Sequence, residues 1–347
     1  MKKLVIGSTR SNAGKTSIIA GLAKVTNKSI GYIKPFGDRL LYRKKNLWDY
    51  DSALINNLFD LSQEPKDMSI GFEHSKLRFM YDEAAVREKL LKMIDTVGQE
   101  KELLIIEGGK DLTYGLSVHL DPISVAKYTD SKLILIVSGD DNTILDDIAF
   151  IQKQMHLSDM QLMGVIINKV QRVEDFKETY LDSIVKAGVK VFGVIPYKQS
   201  LTYFTMSYLV DPLFAKVISG ENALNNVIEN ILVGAMSFDA LLSSSILQRN
   251  ENNLIITSGE RSDIILAALE GDSAGIILTN NTLPHANIVS KAIDRNVPML
   301  LVSADTYQVA RSIDRMIPLL IRDSITKIKL IEELVWKYVN TSEIIDG

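Results

Sequence analysis

The sequence predicts an α/β protein in two parts: an open, doubly wound, mainly parallel sheet over about residues 1–200, then a smaller α/β domain. Three observations predict it. Short apolar runs of strand length alternate with longer segments of helical period. Several runs are apolar throughout, as in Leu133-Ile134-Leu135-Ile136-Val137, which suits strands buried on both faces of a helix-covered parallel sheet. The length, 347 residues, suits two domains or three at ~100–200 residues each.

Taken in order, Leu4–Ser8 reads as the first strand and Lys15–Thr26 as the helix after it. Ser29–Lys34 is the second strand, and Pro35 stops it because proline has no N–H for the ladder. Helices follow at Asp49–Phe59, where Asp51 stands in the first turn, and at Asp82–Val97. Strands Leu103–Glu107, Lys132–Ser138, Leu162–Asn168 and Val191–Ile195 complete the sheet, with helices Thr143–Met155 and Glu174–Ala187 between the later ones. Residues 201–222, which contain Asp211-Pro212, read as an irregular linker with at most one helix. A second alternation runs through strand Leu254–Thr257, helix Asp263–Leu269, strand Gly275–Thr279, helix Ala286–Asp294, strand Pro298–Val302 and helix Asp305–Met316. A last helix, Ser324–Val339, carries Ile325, Ile328, Ile331, Leu334, Val335 and Val339 at helical spacing and is expected to close a second domain of residues 223–340.

Composition excludes several classes. Hydrophobic residues at 46% and charged residues at 24% are too rich and too ordinary, respectively, for a disordered chain. Thirty-nine basic against 43 acidic residues leave a net charge of -4, so there is no general electrostatic grip on nucleic acid; the run Arg43-Lys44-Lys45 reads as a solvated surface. With no cysteine there is no disulfide, thiolate metal site or cysteine nucleophile. The four histidines, His74, His119, His156 and His285, lack zinc-motif spacing. No apolar run reaches membrane-spanning length, and Leu4-Val5-Ile6 is too short for a signal peptide, so a cytoplasmic protein without a membrane partner is expected.

The chemistry concentrates at strand ends, where ligands of such sheets bind. The first strand runs into Gly7-Ser8-Thr9-Arg10-Ser11-Asn12-Ala13-Gly14-Lys15-Thr16-Ser17. Its Gly14-Lys15-Thr16 matches the end of a nucleotide phosphate loop, although Thr9 stands where the strict pattern has glycine. Small residues let backbone N–H groups of Ser11, Asn12, Ala13, Gly14 and Ser17 turn towards phosphate oxygens, and the helix presents its positive end. Lys15 is placed for the β- and γ-phosphates and Thr16 for Mg²⁺. Glu107, ahead of Gly108-Gly109, and Asp51 supply carboxylates for the same ion, and Lys34 ends the second strand. Each of these three has a plain structural reading as well, Asp51 as a helix-capping acid.

These pieces resemble dethiobiotin synthetase and its relatives among the cobyrinic and cobyric acid synthases. The matching stretches are Gly14-Lys15-Thr16, Gly31-Tyr32-Ile33-Lys34-Pro35, Asp51-Ser52-Ala53-Leu54, Ile106-Glu107-Gly108, Gly164-Val165-Ile166-Ile167-Asn168 and Gly193-Val194-Ile195-Pro196, in family order over about residues 3–197. The resemblance implies a P-loop NTPase-type domain in which Lys15, Thr16, Asp51, Glu107 and Lys34 surround Mg²⁺ and ATP, with Lys15 and Lys34 in catalytic positions and Asn168 facing the adenine. Lys169 reads as a solvated strand-end lysine; Asn168-Lys169 faintly resembles a guanine-type Asn-Lys pair without its following Asp, so the sequence does not fix ATP over GTP. Phe36-Gly37-Asp38-Arg39 departs from the small residues that hold the carbamate in dethiobiotin synthetases, so biotin-pathway activity is not expected.

Whole-chain order resembles the N-terminal region of long phosphotransacetylases. Val233-Gly234-Ala235-Met236-Ser237, Thr257-Ser258-Gly259-Glu260-Arg261-Ser262-Asp263, Ala267-Ala268-Leu269-Glu270 and Asp305-Thr306-Tyr307 resemble the domain named for an Asp-Arg-Thr-Gly-Gly motif, with Asn280-Asn281 where relatives tend to have glycines. Such domains are generally regarded as regulatory or oligomerising. The given chain stops before a transacetylase domain, so a phosphotransacetylase by itself is not expected. Three readings result. The first is a Mg–ATP-binding protein with a regulatory, homo-oligomerising second half, linked to metabolic regulation. The second is an ATPase or ATP-dependent ligase or kinase acting on a small anionic metabolite, a carboxylate or carbamate. The third is a scaffold that no longer binds nucleotide.

Overall fold

The computed structural model describes residues 1–43, 45–155, 161–234, 252–321 and 324–346. Lys44, His156 and Ala235-Met236-Ser237, named above, lie outside the described residues. Two compact units emerge: Met1–Lys198 together with Leu320–Gly347, and Gln199–Leu319. No helix among the described residues is long and apolar enough to cross a membrane.

The first unit is built on β1 (Lys2–Ser8), β2 (Ile30–Ile33), β5 (Leu103–Glu107), β6 (Lys132–Ser138), β7 (Leu162–Val170) and β8 (Val191–Pro196). They form one parallel sheet in the order β2-β5-β1-β6-β7-β8. Strand β1 is central, and the order reverses there, which opens a crevice beyond its carboxyl end. The residues of β5 are buried at every position, as a strand covered on both faces requires. Helices α1 (Lys15–Val25), α2 (Tyr50–Phe59), α4 (Glu83–Val97), α5 (Pro122–Thr129) and α6 (Asp141–Met155) supply the apolar stripes, with α3 (His74–Met80) shorter. One core joins the sheet residues Val5, Leu104, Leu135 and Val165 to Leu90, Ile94 and Ile148 of the helices.

Three features of the first unit differ from the sequence reading. An antiparallel hairpin, β3 (Leu40–Arg43) with β4 (Asn46–Asp49), stands ahead of α2 where no strand is expected. The short, partly polar strands carry no clean period for a pattern search to find. The helical stretch expected over Glu174–Ala187 contains a π-turn at Lys177–Leu181. Last, Ile325–Tyr338, read above as the end of the second domain, packs on α1 and β8. Its apolar stripe fits either host; the accommodating residues are glycines. A Cβ on Gly21 would lie 2.4 Å from Val335 Cγ2, and one on Gly193 would lie 2.2 Å from the Tyr338 carbonyl oxygen. Both allow the closing segment to approach, and Asn340 N–H donates to the Phe192 carbonyl at 2.8 Å.

The second unit has a five-stranded sheet in the order Lys216–Ser219, Met299–Leu301, Ser273–Thr279, Asn253–Ser258, Asn230–Val233. The first pair is antiparallel and the others parallel. The segment read as a linker thus supplies an edge strand, and it also holds a short helix at Met206–Val210. Helices Ser262–Glu270, Ala286–Asp294 and Thr306–Asp314 occupy the positions expected from the sequence. Asn280 and Asn281 both take left-handed backbone, at φ 57° and 52°. Asparagine tolerates that region better than most residues, so the pair keeps a turn that glycine would also make.

Candidate functional site

The loop between β1 and α1 is shaped by two left-handed residues, Asn12 at φ 60° and Gly14 at φ 97°. A Cβ on Gly14 would come within 2.5 Å of Asn168 Nδ2, so the position needs glycine for space as well as conformation. Asn168, buried at the end of β7, donates from Nδ2 to the Ala13 carbonyl at 2.8 Å. Lys169, itself left-handed at φ 63°, donates from Nζ to the Asn12 carbonyl at 2.6 Å. Lys169 is exposed, as its strand-end position suggests, and its ammonium together with Asn168 braces the loop backbone. Arg10 ties the opposite side of the loop to α6 through two bonds to Asp147, at 3.0 and 2.9 Å.

Lys15 begins α1 and is buried, its Nζ donating to Ser8 Oγ and to the Lys110 carbonyl, both at 2.9 Å. Burial holds its ammonium below the usual lysine range, with Glu107 opposing. Thr16 Oγ1 donates to Glu107 Oε1 at 2.9 Å, and Tyr32 OH donates to Glu107 Oε2 at 2.9 Å. Glu107 is 1% exposed; burial, with the Asp51 charge adding to it, pushes its carboxyl up to about 7.

Beside this sits a second charged group. Lys34 Nζ lies 2.5 Å from Asp38 Oδ1, 2.6 Å from Asp51 Oδ2 and 3.5 Å from Asp49 Oδ1. Burial opposes the Lys34 charge, but Asp51, Glu107, Asp49 and Asp38 outweigh it and hold the ammonium well above the ordinary range. Burial likewise opposes ionisation of Asp51, and Lys34 and Arg39 overcome it, so its carboxyl lies below the usual value. Asp49 caps α2, accepting from Asp51 N–H at 2.9 Å and Ser52 N–H at 3.2 Å, and also accepts from Asp38 and Arg39 N–H. Arg39 donates to Asp51 Oδ1 at 3.2 Å and to Asn12 Oδ1 at 3.0 Å.

The structure therefore brings Lys15, Thr16, Lys34, Asp51 and Glu107 into one charged cluster beside the loop holding Ser11, Asn12, Ala13 and Gly14 and the first turn of α1 that holds Ser17. It pairs them differently from the sequence expectation. Among the described residues, the acids whose oxygens lie within 4.8 Å of one another are Asp38, Asp49 and Asp51, with Lys34 between them; Glu107 is engaged by Thr16 and Tyr32 instead. Sequence reasoning missed Tyr32, Asp38 and Asp49 as members. Tyr32 and Asp38 flank Lys34 in stretches already quoted, so a buried lysine needing counter-charges was the available signal.

The donor set suits a hydrated divalent cation next to phosphates. Thr16, Asp51 and Glu107 offer hard oxygens, the chemistry Mg²⁺ takes. The Thr9 hydroxyl at the loop opening is buried with no hydrogen-bond partner, an orphaned polar group of the kind a ligand satisfies.

Residues 2–204 match an AAA domain family, and the chain belongs to it. Residues 208–316 match the DRTGG domain, so the order of the two resembles the N-terminal region of phosphotransacetylases. The phosphate acetyltransferase of Synechocystis sp. is 26% identical over 91% of this chain and 47% of its own length. That of Nitratidesulfovibrio vulgaris is 22% identical over 98% of this chain and 51% of its own. The chain spans about half the length of these curated relatives. A solved structure of the CBS and DRTGG domains of the regulatory region of a Clostridium perfringens pyrophosphatase, complexed with its activator diadenosine tetraphosphate, is 19% identical. The match covers 37% of this chain and 54% of that one, with a TM-score of 0.29.

Proposed function

We propose that this chain is a cytoplasmic, Mg–ATP-binding regulatory protein whose second unit senses a ligand or makes homo-oligomer contacts. The observation that carries the reading is the buried cluster at the β1–α1 loop, where Lys15, Thr16, Asp51 and Glu107 converge from different strand ends and helix starts. Charges are costly to bury and persist where they serve a ligand or one another. In this reading the loop N–H groups of residues 11–17 and Lys15 hold polyphosphate, Asn168 positions the loop and faces the base, and Thr16, Asp51 and Glu107 hold the magnesium. The metal would screen phosphate charge.

Transfer to a carboxylate or carbamate is less well served. Lys34 would have to meet the anionic acceptor, yet it is 1% exposed and already faces three aspartates. A scaffold that binds no nucleotide would leave the desolvation of Lys15 offset only by its bonds to Ser8 and the Lys110 carbonyl.

The test is a thermal shift with Mg–ATP. A ligand at about 100 times its Kd stabilises the native state by roughly 2.7 kcal/mol, enough to raise the midpoint by a few degrees. Native protein should shift and Lys15→Ala should not. No shift in either removes the nucleotide reading. Phosphate release stimulated by one small carboxylate, and lost in Lys34→Ala, would move the assignment to an enzyme.

A further inference from the structure

Arg39 is a second cation at the site, partly exposed and bonded to both Asp51 and the phosphate-loop Asn12. Its backbone is fixed: the N–H donates to Asp49 Oδ2 at 3.2 Å and the carbonyl accepts from Tyr50 N–H at 2.8 Å. From that anchor its guanidinium spans two walls of the site, one nitrogen on Asn12 Oδ1 of the phosphate loop and another on Asp51 Oδ1.

Lys34 is held more tightly than Arg39. The Lys34 side chain is 2% exposed, and its three hydrogens face three carboxylates, two of them at 2.5 and 2.6 Å. The Arg39 side chain is 29% exposed and its contacts are longer, at 3.0 and 3.2 Å. Asp51 has one oxygen on each cation, Oδ2 on Lys34 and Oδ1 on Arg39. A divalent ion claiming Asp51 competes for an oxygen already in use. The solvent-facing, longer pair yields before the buried, shorter one. With magnesium on Asp51, Arg39 would be the cation to let go, and its backbone anchor would keep the guanidinium next to the loop.

Resting on the Mg–nucleotide reading, we infer that Arg39 reads the terminal phosphoryl group of a nucleoside triphosphate and makes the site discriminate triphosphate from diphosphate. A guanidinium presents a planar fork of donors that matches a phosphoryl group with two parallel bonds. Arg39 bridges Asp51, a proposed metal ligand, and Asn12 of the phosphate loop, and the terminal phosphoryl group that would approach between them is the one a diphosphate lacks. Asp38 complements this role by keeping Lys34 engaged, so the anion-reading task falls to the residue that follows it.

The experiment is titration calorimetry with Mg–ATP, Mg–ADP, and Mg–ADP plus inorganic phosphate, on the full chain and on Arg39→Ala and Arg39→Lys. Native protein should bind ATP more tightly than ADP. In Arg39→Ala, ATP affinity should fall about ten- to hundredfold, the worth of a charge-assisted pair. ADP affinity should change by less than about threefold, which shows that the site still folds. Arg39→Lys should recover part of the ATP preference. Equal losses for ATP and ADP would make Arg39 a structural brace and overturn the inference, as would unchanged ATP affinity. If free phosphate lifts ADP binding to the ATP level in native protein alone, the anion is a separate one and the triphosphate assignment falls. A native chain that binds ADP and ATP equally refutes discrimination and leaves nucleotide binding intact; one that binds neither refutes both.

Discussion

Glu107 shows how one side chain sets a pH dependence. Its folded-state value of about 7 lies above the ordinary 4.5, because burial and the Asp51 charge disfavour its ionised form. The folded chain therefore binds this proton more tightly than the unfolded chain. The resulting stability is fully present below about 4.5 and is lost as pH rises through about 7. Without magnesium, the native melting temperature should fall more between about pH 5 and about pH 8 than that of Glu107→Gln, which has no proton to lose. On the proposed reading, in which Glu107 holds magnesium, metal and proton compete for this carboxylate, and the stabilisation that Mg–ATP brings should grow over the same interval. Parallel pH profiles for the two proteins would mean that Glu107 is ionised throughout. The residues of this cluster differ in how far the sequence discloses them. Lys15 and Thr16 lie in a contiguous motif with a physical reason for each position. Tyr32 and Asp38 are signalled only by their nearness to Lys34, and Asp49 by its place at a helix start; Tyr32 reaches Glu107 from β2 itself, while Asp38 and Asp49 join because the chain between β2 and α2 folds back over Lys34.

At the level of elements, the strands of the first sheet are plain in the sequence because burial on both faces leaves a continuous apolar run. The closing helix is equally plain as a helix, but its address is not. An amphipathic stripe states that a helix needs a partner and is silent about which one. The address is written on the receiving side, in Gly21 and Gly193, where missing side chains make room. Gly193→Ala is the sharper test, since the new methyl would meet the Tyr338 backbone carbonyl at 2.2 Å rather than a side chain able to turn away. Relieving that clash requires the strand or the closing segment to move. The expected cost is about 1–3 kcal/mol, measured by denaturant unfolding, with faster amide exchange over residues 325–346. An unchanged midpoint would mean that the closing helix contributes little to the first unit.

On the scale of the whole molecule, the chain leaves the first unit after Lys198 and returns to it at Leu320, so the second unit is inserted rather than appended. This changes how the role of the second unit has to be tested. A simple truncation at about residue 222 also removes the closing helix, with its buried Ile331, Leu334 and Val335. Each buried aliphatic side chain of this kind is worth about 1.5–3 kcal/mol, and three together rival the about 5–15 kcal/mol by which whole domains are stable. Truncation should therefore leave a first unit that melts far lower or aggregates, whatever the second unit does. Replacing residues 199–319 by a flexible Gly/Ser linker keeps the helix with its host. That excised protein should retain cooperative melting and the Mg–ATP shift. Its mass by light scattering then reports on assembly alone: a drop relative to the full chain assigns subunit contacts to the second unit, and an equal mass removes the assembly role from it. If the simple truncation melts as the full chain does, the packing of Ile325–Tyr338 on α1 is dispensable and the inserted arrangement has no energetic weight.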